Sequence, residues 1–217
     1  MAWDPAWERT FQENEWGKYP EESLVRFVAR NFYKAHSRQE IKILEVGCGP
    51  GANLWYMARE GFSVYGIDGS VTAVERAKAR LKEDVGLPDE KIHILQGDIV
   101  HIPFEDNSFN AIVDCEAVSA NPYKDAQQIY KEMLRVCNIG GKCYSRMFAD
   151  GTWGCPESGI AQEGPMAGKG YARITLREEI EPLMGGWHIL AIDKEMRTVD
   201  GIDSNHWVQE WVVTAQK

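Results

Sequence analysis

Three glycines fall within five positions in EVGCGPG, Glu45 to Gly51, and two aspartates, Asp68 and Asp98, each follow an apolar run farther on. Glycine turns the chain sharply and leaves no Cβ between a ligand and the backbone. Where a helix starts just behind such a turn, its first N–H groups have no partner inside the helix. Asp68 stands where a carboxylate can accept hydrogen bonds from both hydroxyls of a ribose. Capping a helix or turn is its alternative role. Asp98, in Gly97-Asp98-Ile99, can accept from an exocyclic amine such as adenine carries, or simply hold a turn. These residue types in this order imply a nucleotide-like ligand.

Alternating apolar patterns supply the elements that must hold them. IKILEV, FSVYGI, KIHILQ, FNAIVDCE and KCYSRMF read as five strands. ANLWYMARE predicts a helix stopped at Gly61. Ser70 is suited to cap the next helix, with Val71, Val74, Ala77 and Leu81 along one side. Over 123–137, Ala126, Ile129, Tyr130, Met133, Leu134 and Cys137 recur at helical spacing, and Gly140-Gly141 ends the run. PEESLVRFVARNFYKA predicts an earlier helix over 20–35, with Pro20 in its first turn. Strand and helix therefore alternate, which predicts a parallel sheet covered on both faces and a ligand at the strands' carboxyl ends. Thr175 and Glu178 have capping-box spacing before a helix near 176–184. WHILAIDKEMRTV and HWVQEWVVTAQ then follow with no helix between them, predicting an antiparallel pair at the sheet edge.

One domain over 1–217 is expected: a helical cap (1–39), a cofactor-binding core (40–148), a substrate loop (149–174), and a C-terminal helix and strand pair (175–217). The formal net charge of -9 argues against a nucleic-acid partner, which calls for a basic footprint. No apolar run reaches the length of a membrane span. The acidic, aromatic start MAWDPAWERTFQENEW is unlike a signal peptide. Five cysteines without a C-x-x-C pair speak against a disulfide framework and a structural zinc site, so reduced thiols, a cytoplasmic location and no metal are expected.

Gly47 to Ala52 also satisfies the dinucleotide fingerprint G-x-G-x-x-G/A, with Asp68 at a compatible distance. Three features turn the reading away from NAD. An acid precedes the turn and Pro50 lies inside it, no second domain is available for hydride transfer, and the terminal strand pair is wrong for a dinucleotide fold. LEVGCGPG, GIDGS, GDI, FNAIVDCEAV and EMLRVCNIGGK, spread over residues 40–148, resemble the successive motifs of class I S-adenosylmethionine-dependent methyltransferases. That resemblance implies an α/β, Rossmann-like, seven-stranded and mostly parallel sheet with helices on both faces and a terminal antiparallel strand pair. It implies that Gly47, Gly49 and Gly51 let the backbone approach the cofactor, S-adenosylmethionine, which leaves as S-adenosylhomocysteine. Glu45 would order the loop, Asp68 and Gly69 the ribose end, and Asp98 with Ile99 the adenine; Glu116 would fall near the transferred methyl. A segment ahead of the first core strand folds over the cofactor in the family, which makes Trp16 and Tyr19 the expected lid residues. Trp3, Trp7 and Phe11 read instead as one helix face docking on the domain.

For the transfer itself, His206 and His101 are the candidate general bases, with Glu116 the other candidate catalytic residue. DGIDSNH, Asp200 to His206, could chelate a cation, but a solvated turn accounts for it better. Asn121-Pro122-Tyr123 is similar to a motif of enzymes that methylate base amino groups; it lacks the second proline and reads as a helix-starting turn. The expected activity is methyl transfer to O or N of a small molecule. The alternatives are a nucleic-acid or protein methyltransferase, and a cofactor-binding sensor or partner subunit without catalysis. Oligomeric state is not written in the sequence.

Overall fold

The computed structural model describes residues 3–198 and 206–217. Five parallel strands form the centre of the sheet: β1 Lys42–Val46, β2 Ser63–Asp68, β3 His93–Gln96, β4 Phe109–Cys115 and β5 Cys137–Phe148. A short hairpin, β6 Gly159–Ile160 and β7 Tyr171–Ala172, stands apart, and β8 His188–Thr198 and β9 Trp207–Gln216 complete the main sheet. The strand order is β3-β2-β1-β4-β5-β9-β8, with β9 antiparallel to both of its neighbours. The sheet is therefore the seven-stranded, mostly parallel one expected, closed by the antiparallel pair.

Helices α2 Glu22–Phe32, α3 Ala52–Arg59 and α4 Val71–Glu83 cover one face, around Leu24, Phe27, Leu54, Met57 and Leu81. Helices α5 Tyr123–Val136 and α6 Ile180–Leu183 cover the other, with Ile129, Tyr130, Met133 and Leu183 buried against it. Each such side chain contributes about 1.5–3 kcal/mol by leaving water. An additional N-terminal helix, α1 Ala6–Glu13, lies near α4, where the Glu8 carboxylate accepts hydrogen bonds from Ser70 Oγ and Thr72 Oγ1.

Local chemistry explains the boundaries. Ser70 Oγ accepts from the Ala73 N–H (3.0 Å), the cap read from the sequence, and Gly61 follows α3 with φ +91°. The helix expected over 20–35 is shorter: Glu21 is extended, so Pro20 precedes the helix rather than filling its first turn. The Thr175–Glu178 capping box does not form. Glu179 accepts from the Leu176 N–H at 2.8 Å instead, and Thr175 Oγ1 is buried without a partner. The next helical segment starts later for that reason, as a single 3₁₀ turn, Arg177–Glu179, leading into α6. The loop over 149–174 is tied to the sheet rather than free. Thr175 N–H donates to Phe148 O (2.7 Å), and Arg173 N–H to Ser119 O (3.0 Å).

Candidate active site

The carboxyl ends of β1, β2 and β4 open on a cavity of about 330 Å³, within the range of small-ligand sites. Gly47, Gly49, Asp68, Gly69, Asp98 and Ile99 line it together. Behind the turn, α3 begins at Ala52 with Gly51 as its N-cap in the left-handed region. Gly47 needs to be glycine on two counts: its φ is +62°, and an added Cβ would stand 2.2 Å from Ala117 Cβ. Gly51 also has positive φ, but it does not line the cavity; a Cβ there would meet Ala77 Cβ at 3.0 Å. Its role is the close approach of α3 to α4, not backbone access for a ligand.

Asp68 is buried at the end of β2, and its two oxygens accept from different backbone donors: Gly49 N–H at 2.8 Å and Ser70 N–H at 2.9 Å. Burial raises its pKa, and those two bonds oppose the rise. One side chain thus ties the glycine loop to the start of α4 and still has acceptor capacity on each oxygen. Glu45 is also buried. Its Oε1 accepts from Asn53 Nδ2 at 2.6 Å, while Oε2 has no partner. Burial, with smaller contributions from the charges of Asp68 and Asp114, pushes Glu45 up to about 8. A buried carboxylate oxygen with no donor is a seat for a cation, which the amino-acid ammonium of S-adenosylmethionine would satisfy. The residues present fit that cofactor.

Trp16 lines the cavity as expected of a lid. Tyr19 does not. It is 77% exposed and its ring sits 5.6 Å from Trp55 on the outer side of α3, because the chain has left the cavity before Pro20. Trp3, Trp7 and Phe11, read as a docking face, line the cavity as well. Gly69 leaves the space filled by Trp3, and Phe11 lies 3.6 Å from where a Gly49 Cβ would stand. Trp7 and Phe11 stack at 5.6 Å, and Trp16 closes edge-on against Phe11 at 5.2 Å. Helical spacing alone could not separate docking from lining, because one face does both.

His206 is not among the lining residues; its ring lies 4.5 Å from that of Trp153 at the start of β9. His101 is exposed beyond Asp98 and does not line the cavity either. The DGIDSNH stretch lies, up to Asn205, outside the described residues. Among the described residues no cluster of His, Cys, Asp and Glu is arranged to hold a metal ion, and no helix is long and apolar enough to cross a membrane.

Glu116 lines the cavity just past β4, with φ +69°, a left-handed backbone that few non-glycine residues adopt. Its N–H donates to Arg146 O at 2.8 Å. Burial, then the neighbouring Glu210 carboxylate, raises its pKa well above the usual carboxylate range. Arg146, missed in the sequence, gathers Glu21, Glu116, Glu195 and Glu210 around one guanidinium. Asn121 lines the cavity with its Nδ2 donating to Ala117 O at 2.8 Å and its Oδ1 buried without a partner.

Residues 43–141 match the family described as methyltransferase domain. Sterol 24-C-methyltransferase erg6 of Aspergillus fumigatus is 34% identical over 125 residues, 55% of this chain and 32% of that protein. Methyltransferase GfsG of Streptomyces halstedii is 35% identical over 102 residues, 46% of this chain and 35% of that protein. The chain thus spans about a third of the length of these curated relatives. In fold it is similar to a SAM-dependent methyltransferase from Methanosarcina mazei, with TM-score 0.67 and 20% identity over 92% of this chain and 98% of that one. Residues 43–141 are thus similar to the methyltransferase-domain family, and the fold of the chain is that of a SAM-dependent methyltransferase.

Proposed function

We propose that this chain, acting as one methyltransferase unit, moves a methyl group from S-adenosylmethionine to oxygen or nitrogen of a small-molecule acceptor. The observation that carries this reading is the meeting of Gly47, Gly49, Asp68, Gly69 and Asp98 around one cavity at the strand ends. Asp68 would accept from the ribose hydroxyls, Glu45 Oε2 from the ammonium, and Asp98 with Ile99 would border the adenine. When bound, the cofactor supplies a methyl group on a sulfonium, a good leaving group. The demand on the protein is then mostly positioning, worth roughly 7–11 kcal/mol in well-oriented systems. The rings of Phe11 and Trp16 would narrow the cavity over that methyl and exclude water.

The word "small" rests on a cavity of about 330 Å³ roofed by aromatic residues, and on the net charge of -9. Five unpaired cysteines suit a reducing compartment, and we assign the chain to the cytoplasm. A carbon acceptor is the second reading, favoured by the likeness to sterol 24-C-methyltransferases. Calorimetric titration with S-adenosylmethionine, S-adenosylhomocysteine and NADH tests the cofactor. Binding of the first two alone is expected, and binding of NADH alone overturns the reading. A mass-spectrometric screen of small acceptors then reports which atom gains the methyl. Efficient methylation of tRNA or DNA would remove "small".

A further inference from the structure

Helices α2, α3 and α4 cover one face of the sheet as far as Tyr144 on β5 and Val212 on β9, but at Arg146, Glu210 and Glu195 on β5, β9 and β8 the strands carry charge. Register brings Phe148 opposite Glu210, and Glu210 opposite Glu195, so two carboxylates face each other across the β8–β9 pair. Like charges so placed repel unless a counter-charge bridges them. Arg146, on β5, is that bridge. Its guanidinium lies 3.8 Å from Glu195 and in short contact with Glu210, and it also meets Glu21 at 2.7 Å and Glu116 at 3.7 Å. Two of the four acids, Glu21 and Glu116, line the cavity.

We propose that this row is the acceptor subsite and that it selects an amine, which binds as an ammonium ion and gives one proton to the Glu116 carboxylate, freeing the nitrogen lone pair to take the methyl as the sulfonium leaves as a thioether. The inference rests on the methyltransferase reading above and names its substrate class. Position supports it. Glu116 precedes Ala117, the residue against which Gly47 packs, so the row abuts the glycine loop. Strain supports it too. A non-glycine residue at φ +69° costs on the order of 1–3 kcal/mol, and such residues gather at ligand clamps.

The charges gathered there give the class. Glu116 and Glu210 share the Arg146 guanidinium, the first at 3.7 Å and the second in short contact, so like charges crowd one cation. A group bringing several N–H donors and a positive charge supplies the counter-charge they lack. Asn121 also lines the cavity, and its Oδ1 is a buried acceptor with no donor. The other charged groups on the cavity are the cations Lys169 and Arg197 and the acids Asp4, Glu45, Asp68 and Asp98. Lys169 Nζ is held 5.4 Å above the Trp16 ring, and Arg197 lies two residues along β8 from Glu195. Arg146, Lys169 and Arg197 make three cations against the four acids of the row and the four others on the cavity, so an added ammonium is favoured. An alcohol offers one donor and no charge, and a carboxylate acceptor is repelled. Phe148, Pro165 and Met166 line the same cavity and suit an apolar body behind the nitrogen.

The test uses matched probes on butyl, benzyl and 2-phenylethyl skeletons: the amine, the alcohol and the carboxylate of each. They are titrated calorimetrically into the wild-type protein, alone and with S-adenosylhomocysteine. At least one amine should bind tenfold or more tighter than its alcohol, with no carboxylate binding. Glu116→Gln should reduce the amine preference to about threefold or less. Glu21→Gln, at an exposed helix start and so safe for folding, should weaken the amine about threefold. Alcohols binding as well as amines, or no amine binding at all, overturns the inference, as does an unchanged preference in both variants. Silence toward S-adenosylhomocysteine with the amine preference intact would sink the cofactor reading alone.

Discussion

Replacing Glu45 by Gln separates what the fold tolerates from what the site is built to bind. The carboxyl is held up to about 8 from an ordinary 4.5, chiefly by burial. Between those values the folded protein keeps a proton that the unfolded chain has released, so wild-type stability falls as pH rises through that window. The contribution is fully present below about 4.5 and lost by about 8. Each pH unit in the window is worth about 1.4 kcal/mol, a total on the order of a few kcal/mol. Gln keeps an oxygen for the Asn53 bond and carries no charge. Its NH₂ takes the place of Oε2, which has no partner, at a cost of about 1–3 kcal/mol that does not vary with pH. Urea unfolding of both proteins at pH 5, 6, 7 and 8 should therefore show the variant gaining on the wild type by roughly 1 kcal/mol per pH unit. Titrating S-adenosylhomocysteine over pH 5.5–7.5 should show the opposite consequence. Wild-type affinity rises with pH as Glu45 ionises for the ammonium, by up to about tenfold per unit, while the variant binds more weakly and without that slope. A stability difference that stays constant from pH 5 to 8 would refute the reasoning, because Glu45 would then be an ordinary carboxylate.

Asp68→Ala removes the acceptor of the Gly49 and Ser70 N–H groups as well as the proposed ribose contact. Cofactor affinity should fall by the worth of a charge-assisted bond, about 1.5–3 kcal/mol, and unchanged calorimetric affinity would take Asp68 out of the site. Phe11→Leu should weaken S-adenosylmethionine about three- to tenfold more than S-adenosylhomocysteine if the ring meets the sulfonium; equal losses for both ligands would leave Phe11 a packing residue. Gly47→Ala drives a Cβ to 2.2 Å from Ala117 at a φ of +62°, so the melting temperature should drop by several degrees. The Cys48 thiol lies on the cavity wall and is raised well above 9 by burial, then by the charges of Asp68 and Glu45. Its alkylation by iodoacetamide at pH 8, followed by mass spectrometry, should run at least about tenfold slower than that of a free thiol and slow further with S-adenosylhomocysteine.

What the sequence determined by itself was local in the chain. The strands, the helix starting behind Gly51, the Ser70 cap and the left-handed glycines depend on neighbours within a few positions, where periodicity and backbone sterics act directly. Glu45, Gly47, Gly49, Asp68 and Asp98 were legible because strand ends in a parallel sheet converge at one edge, whatever the details of packing. The final antiparallel pair was legible for a similar reason, since two strands without an intervening helix cannot make a parallel crossover.

Tertiary structure decided the rest. Tyr19 and Trp16 are three residues apart, yet one faces Trp55 and the other the cavity, because the chain turns between them. Gly51 looked like its two neighbours and serves a helix contact instead. His206 had the chemistry of a base but meets Trp153. The Arg146 cluster could not be read at all. Its acids come from the start of α2, the end of β4, and β8 and β9, and they meet only once strand order and register are set. Register follows from burying both faces of the sheet at once, a condition on the whole core that no single stretch of sequence contains.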